Sequence, residues 1–307
     1  MIDQARDWLA SALASRLQGP AAGWWASTAD EIAAGVSDEV FVARLSMASR
    51  HVRGTAMLAP TADELAQAAA LQPGWNPERW TLQETLRVAL ILARTDVLEP
   101  SFVASFEEAF RTADEGECRA LYRCLALLPN GERFVWRAGE GCRTNIGTVF
   151  QAVTCDSPYA AAHFDDVAWN QLCIKAVFVG APLWRVHGLD GRLSADLARI
   201  ALDLMDERRS AGRDLQPDLW LCLGSHGGER ARAAIELELA QGPRSGRIAA
   251  TYALGRCLDE DRLRELVGGN DADVADAATR ALAGQCGQDA WALLDPLAAA
   301  AAPLPNR

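Results

Sequence analysis

Residues 132–190 read ERFVWRAGEGCRTNIGTVFQAVTCDSPYAAAHFDDVAWNQLCIKAVFVGAPLWRVHGLD. Two helices joined by a short polar connection account for this stretch. At 100° per residue, Val135, Gly139, Cys142, Ile146, Val149, Phe150 and Val153 share one face of a helix over 132–153, while Arg133, Arg137, Glu140, Thr144, Thr148 and Gln151 share the opposite face. Arg143 and Asn145 lie on its flanks. Gly139, Gly141 and Gly147 each cost up to ~1 kcal/mol against alanine inside a helix, so they need a reason. Either Gly139, on the apolar face, admits a neighbouring helix closely, or Gly139-Glu140-Gly141 breaks the helix and frees backbone N–H groups.

The second helix is expected over 164–180. Leu172, Cys173, Ile174, Ala176, Val177, Phe178 and Val179 wrap it entirely, the pattern of a buried helix. It nevertheless carries Asn170 and Lys175, and a buried ammonium is costly without a partner. Asp166, Glu140 or Asp165 can supply one. Asp165 and Asp166 fall in the expected first turn, where the helix dipole favours carboxylates.

The segments FVWRAGEGCRTN (134–145), VFQAVTCDSPY (149–159) and HFDDVAWNQLCIKAVFVGAPLWRVHGLD (163–190) resemble the signature of the EboA family. The resemblance is strong over the middle third of the chain, and the flanking helices match in general character. It implies a metabolite-traffic protein of secondary metabolism, working beside other proteins of its pathway. Those include a prenyltransferase-like membrane protein and several enzyme-like partners. The resemblance carries over no catalytic residues.

Composition bounds the rest. Half of the 307 residues are hydrophobic, enough for a substantial core. A net charge of −11 and a pI near 4.9 argue against nucleic acid as a partner and against docking to anionic lipid through a basic surface. The eight cysteines are scattered without a CxxC pair and read as buried free thiols, suiting a reducing compartment. The N-terminus has no signal-peptide pattern. The longest apolar run, 167–184, is interrupted by Asn170, Gln171, Lys175 and Pro182, so no transmembrane segment is expected against the ~20 apolar residues a span needs. The expected location is the cytoplasm.

The remaining chain repeats the helical pattern. Helices are expected over 2–17, 38–50 behind Ser37, 61–71 behind the capping box Thr61-Ala-Asp-Glu64, 81–95, 101–111, 115–128, 194–211 and 216–223. Gly19-Pro20 closes the first of these, and Trp24 and Trp25 follow in a short segment. In the helix over 81–95, Leu82, Leu86, Ala89, Leu90 and Ala93 form one apolar stripe. The run 71–80, dense in Pro, Gly and Asn, is a loop. Gly224-Ser-His-Gly-Gly228 lacks a preceding strand and a Walker lysine, so it reads as an interhelical turn rather than a phosphate loop. Ala249-Ala-Thr-Tyr-Ala-Leu254 recurs as Ala277-Ala-Thr-Arg-Ala-Leu282, a repeat resembling short HEAT units. The tail AAAAAPLPNR (298–307) is expected to fray. No segment alternates with the period of a strand. The expected fold is therefore all-α, a solenoid-like stack of antiparallel helices. Its parts are 1–225, containing the pair 132–190, and HEAT-like repeats over 226–307 continuous with it.

Three site chemistries follow from the central stretch. Arg137, Glu140, Arg143, Asn145, His163, Asp165, Asp166, Asn170 and Lys175 read as a ligand-binding cluster in which guanidinium forks clamp a carboxylate or phosphate. The same residues also read as a structural ion-pair network. His163, Asp165 and Asp166 are ligand-type side chains for a metal. Adjacent helical carboxylates point about 100° apart, however, and no second histidine is near, so no metal is assigned. Cys142 or Cys155 as a nucleophile would need a base such as His163. No hydrolase, glycosidase or dinucleotide motif is present, and no cofactor is expected. The leading reading is thus a non-enzymatic protein binding a metabolite precursor or pathway partners. The alternatives are an enzyme using Glu140, His163 or Asp166 as acid–base groups, and a pure protein–protein scaffold.

Overall fold

The computed structural model describes residues 1–295, and the tail over 298–307 lies outside them. The described residues are helical throughout, without a strand; one isolated bridge joins Met57 to Thr81. The all-α expectation holds. By compactness the chain divides into two units, Met1–Asp165 and Asp166–Arg307.

The first unit contains α1 (Ile2–Ala14), α2 (Gly19–Ala33), α3 (Asp38–His51), α4 (Ala62–Leu71), α5 (Leu82–Ala93), α6 (Pro100–Thr112), α7 (Glu115–Cys124), α8 (Val135–Arg143), α9 (Gly147–Thr154) and α10 (Tyr159–His163). Helix α5 is its hub, packing on α1, α2, α3 and α7. The single stripe expected along it is too narrow. All residues from Gln83 to Leu92 are buried, on every face. Its polar members are held by hydrogen bonds, as burial requires. Glu84 Oε2 accepts from the Thr81 amide at 2.7 Å, and Oε1 takes Arg119 at 2.8 Å and Arg123 at 3.0 Å. Arg87 Nε donates to the Leu45 carbonyl at 3.0 Å.

Two boundaries differ from expectation. Trp24 and Trp25 belong to α2, a full helix that Pro20 opens from its first turn, the position where a missing N–H costs nothing. The helix expected over 132–153 is three pieces: a 3-10 turn Gly131–Phe134, then α8, then α9. Thr144 is extended, and its Oγ1 accepts from the Ile146 amide at 3.1 Å, so the side chain competes with the helical ladder. The glycine that admits a neighbour is also a different one. A Cβ on Gly139 would meet nothing within 4 Å, whereas one on Gly141 would lie 2.6 Å from the Tyr122 ring and 2.7 Å from Val153. Helix α8 runs unbroken through Gly139-Glu140-Gly141.

The second unit contains α11 (Asp166–Val179), α12 (Ala195–Ser210), α13 (Gly228–Gln241), α14 (Arg244–Arg256), α15 (Glu260–Val267) and α16 (Ala272–Leu282). Helix α11 starts two residues later than expected, because Phe164 is extended after α10, and Asp165 therefore precedes it. Its apolar wrap is not wholly buried: Val167 is 66% exposed and Phe178 73%. Gly180, at φ +69°, ends it with a Schellman turn in which the Ala181 amide donates to the Ala176 carbonyl at 2.8 Å. Residues 217–222 form a 3-10 helix, and Gly224–Gly228 is a turn leading into α13. The two copies of the sequence repeat fall in α14 and α16. These two helices pack on each other, and Ala249, Ala250, Ala253, Ala277, Ala278 and Ala281 on them are buried.

Candidate functional site

The polar residues singled out in 132–190 are mostly occupied in holding helices. Arg137 donates to Glu107 through Nε at 2.8 Å and lies over the rings of Phe110 at 4.5 Å and Trp136 at 4.8 Å. Glu140 pairs with Arg143 along the surface of α8, and Asn145 is exposed in the break before α9. His163 packs on Tyr159, with ring centroids 4.7 Å apart, and covers Gly131, whose carbonyl accepts from the Tyr159 hydroxyl at 2.5 Å. Asp165 is exposed. Asp166, 93% exposed in its side chain, pairs with Arg192 at 2.9 Å. Asn170 is buried and Lys175 half-buried in α11. The ion pairs thus bring Glu140 to Arg143, but send Arg137 to Glu107 and Asp166 to Arg192. Among the described residues no group of three or more His, Cys, Asp or Glu side chains could hold a metal ion. Cys155 is buried beside Thr154, with Sγ 3.6 Å from its hydroxyl. Cys142 is half-buried rather than on a buried face.

The second unit contains an open cleft of about 750 Å³ at the end of the quoted stretch, within the size range of small-molecule sites. His187 and Asp190 form one wall; Arg280, Gln285, Gln288 and Asp289 form the other. The first wall is shaped by turn chemistry: Pro182 follows the Schellman turn, and Gly188 at φ +80° reverses the chain. Asp190 then ties the walls together. Its Oδ1 accepts from Arg256 at 2.6 Å and its Oδ2 from the Gln288 amide at 3.1 Å. The Gln288 side chain donates back to the carbonyls of Trp184 at 2.5 Å and Val186 at 2.7 Å. The Arg256 side chain, 7% exposed, lies 5.7 Å above the ring of Trp291, whose indole N–H donates to the Pro217 carbonyl at 2.9 Å.

Electrostatically the cleft is rich in acceptors. Asp190 and Asp289 contribute carboxylates, and Gln288 spends its donors on backbone, leaving its carbonyl oxygen. Arg280 is tethered to Asp276 at 2.9 Å. Each carboxylate oxygen accepts more than one hydrogen bond, so Asp190 retains capacity after binding Arg256 and Gln288. Such a lining suits a neutral or cationic molecule that donates hydrogen bonds. The sequence reading missed Asp190, Arg256 and Gln288. The available signal was the pair of glycine turns, His187-Gly188 and Asp190-Gly191, closing an otherwise apolar run.

Nearby, Asp218 accepts from the Leu183 amide at 3.2 Å. Burial pushes its carboxyl up to about 7, against that hydrogen bond and with help from the charge of Asp295. Among the described residues no helix is long and apolar enough to cross a membrane.

No curated protein and no solved structure matches the chain. A family model described as metabolite traffic protein EboA matches residues 5–224, a span that holds the first unit from Ala5 onward, helices α11 and α12, and the His187–Asp190 wall of the cleft. On that match, over well more than half of its length, the chain belongs to the EboA family.

Proposed function

We propose that this chain is a non-enzymatic binding protein of a secondary-metabolite pathway, holding a small hydroxyl- or amine-bearing precursor in the cleft of the second unit. The observation that carries the reading is the pinned, acceptor-rich cleft between His187–Asp190 and 280–293. The family supplies the metabolite-traffic context. One wall lies inside the family match and the other beyond it, so the common scaffold supports a selectivity set by this chain's own C-terminal part. Titration calorimetry of the full chain with its pathway's neutral and cationic precursors tests this. Binding should weaken about tenfold or more, ~1.4 kcal/mol, in Asp289→Asn and His187→Ala, with thermal midpoints unchanged. Absence of binding, or affinity indifferent to both changes, refutes it.

A protein partner is the second reading. It is favoured by Trp136 and Ile146, large apolar side chains left 64% and 50% exposed in the first unit. Isolated exposed apolar residues are ordinary, but a solvated tryptophan is costly and common at interfaces. A Trp136→Ser/Ile146→Ser variant should keep its helicity and lose co-purification with the pathway's membrane protein. Retained co-purification would remove this reading.

A further inference from the structure

Most of one wall of the cleft comes from the segment after α16, residues 283–295. It contains the 3-10 helix Gln288–Leu293, six residues long. Hydrogen bonds in that geometry are poorer than in an α-helix, and long runs of it are uncommon. The segment is therefore held by its anchors more than by its own ladder. Gln288 supplies one anchor, on Asp190, Trp184 and Val186. A second group of contacts lies further along. The Trp291 indole donates to the Pro217 carbonyl at 2.9 Å, and the Trp184 indole donates to Asp295 Oδ2 at 2.9 Å. Asp218, next in sequence to Pro217, accepts the amide of Leu183, next to Trp184. One carboxyl thus lies beside both indole anchors.

That carboxyl is poorly placed to carry a charge. Its partner Leu183 has no exposed surface, and the residues that follow Asp218, Leu219 to Leu223, are buried. Packed against 217–222 are α11, α12, α14, the 3-10 turn Leu183–Arg185 and the 3-10 helix Gln288–Leu293. Two of their cations reach 217–222: Arg209 lies over the Trp220 ring, and Arg256 donates to the Leu221 carbonyl. Neither pairs with Asp218. The charge that acts on Asp218 is the like charge of Asp295, rather than that of Lys175, Arg185 or Asp289 on the same packed elements. A carboxylate here would trade water for one amide and a repelling neighbour. Opening of 283–295 removes both penalties, because it takes Asp295 away and lets water in.

We propose that Asp218 is the latch of the cleft: as the neutral acid it keeps 283–295 closed against His187–Asp190, and as the carboxylate it lets that wall swing out. The direction with pH follows from linkage. In the closed state the carboxyl titrates at about 7, and in the opened state near its ordinary ~3.9. The closed state holds the extra proton between those values. Opening is therefore favoured as pH rises through that window, by up to roughly tenfold per unit, and levels off above it. A ligand in the cleft is held at the lower pH and released at the higher. That last step rests on the cleft being the binding site; the opening itself is read without a ligand, so a cleft that binds nothing leaves the test intact.

Amide hydrogen exchange of the full chain at pH 5 and pH 7, corrected for the intrinsic rate at each pH, is the test. Two amides report the latch directly: Gln288, which donates to Asp190, and Leu183, which donates to Asp218. Their protection should fall at least tenfold from pH 5 to pH 7. At both values it should stay at least tenfold below that of Ala253 in the middle of α14, because a latch opens without unfolding the unit. Asp218→Asn should abolish the fall. Asp295→Asn, which still accepts from the Trp184 indole, should lessen it, and this second variant decides the matter where the first does not fold. Histidine changes charge over the same range, so His187→Ala is the control and should leave the fall intact. No fall in the natural chain, an unchanged fall in either aspartate variant, a fall lost in His187→Ala, or protection equal to that of Ala253 overturns the proposal.

Discussion

Gly139 and Gly141 sit two residues apart in α8 and have opposite roles. Gly141 lets the Tyr122 ring and Val153 reach the backbone, and Gly139 faces open space. Gly141→Ala should cost about 1–3 kcal/mol through overpacking. Gly139→Ala should stabilise by up to ~1 kcal/mol through helix propensity alone. Urea denaturation of the two variants checks the signs. Asp218 makes a pH-dependent prediction. Its carboxyl, raised to about 7 in the fold, keeps a proton that the unfolded chain releases near its ordinary value of ~3.9. The native state therefore binds more protons in between, and this group's contribution to stability falls as pH rises from ~4 to ~7. Asp218→Asn still offers an oxygen to the Leu183 amide. It should raise the thermal midpoint at pH 8 and leave it unchanged at pH 4; equal midpoints at both would contradict the assignment.

At the scale of elements, α5 depends on ions buried inside the first unit. Thr81→Ala removes the hydroxyl that accepts from the Glu84 amide at 3.1 Å, and should cost about 1–2 kcal/mol. Glu84→Gln leaves Arg119 and Arg123 without their carboxylate and should cost more, about 3–5 kcal/mol. Chemical denaturation should rank the two in that order. Much of this level was legible. The capping box at Thr61-Glu64 forms as expected, and Thr81-Leu-Gln-Glu84 and Asp114-Glu-Gly-Glu117 carry the same pattern and form it too. The break at Thr144 was not legible, because apolar periodicity continues across it from α8 to α9. A side chain that bonds its own backbone leaves no trace in a hydrophobic pattern. Nor could sequence spacing reveal the cleft: Asp190 and Gln288, which join its walls, are 98 residues apart.

For the whole molecule, the all-α class followed from helical period, caps and turn residues, which act over a few residues each. The placement of charge did not, since partners such as Glu84 and Arg123 are set by packing between helices. The eight thiols bear on the molecule as a whole. None is in a disulfide, and burial pushes Cys222 up to about 12 and Cys124 higher still. Burial thereby guards these two thiols from oxidation while the chain is folded. Treatment with a disulfide-exchange reagent at neutral pH should leave Cys124 and Cys222 unmodified in the native chain and modify all eight after unfolding. Modification of either in the native state would show that the core opens.

Trp136 stands apart from the other tryptophans, six of which are buried and three half-buried, because its ring is largely in water beneath the Arg137 guanidinium. Its fluorescence should therefore be red-shifted and open to quenching by iodide, while the buried indoles emit to the blue and stay shielded. The chain thus contains its own optical probe at the face where a partner is proposed to dock. Loss of iodide quenching on mixing would report that contact without a label.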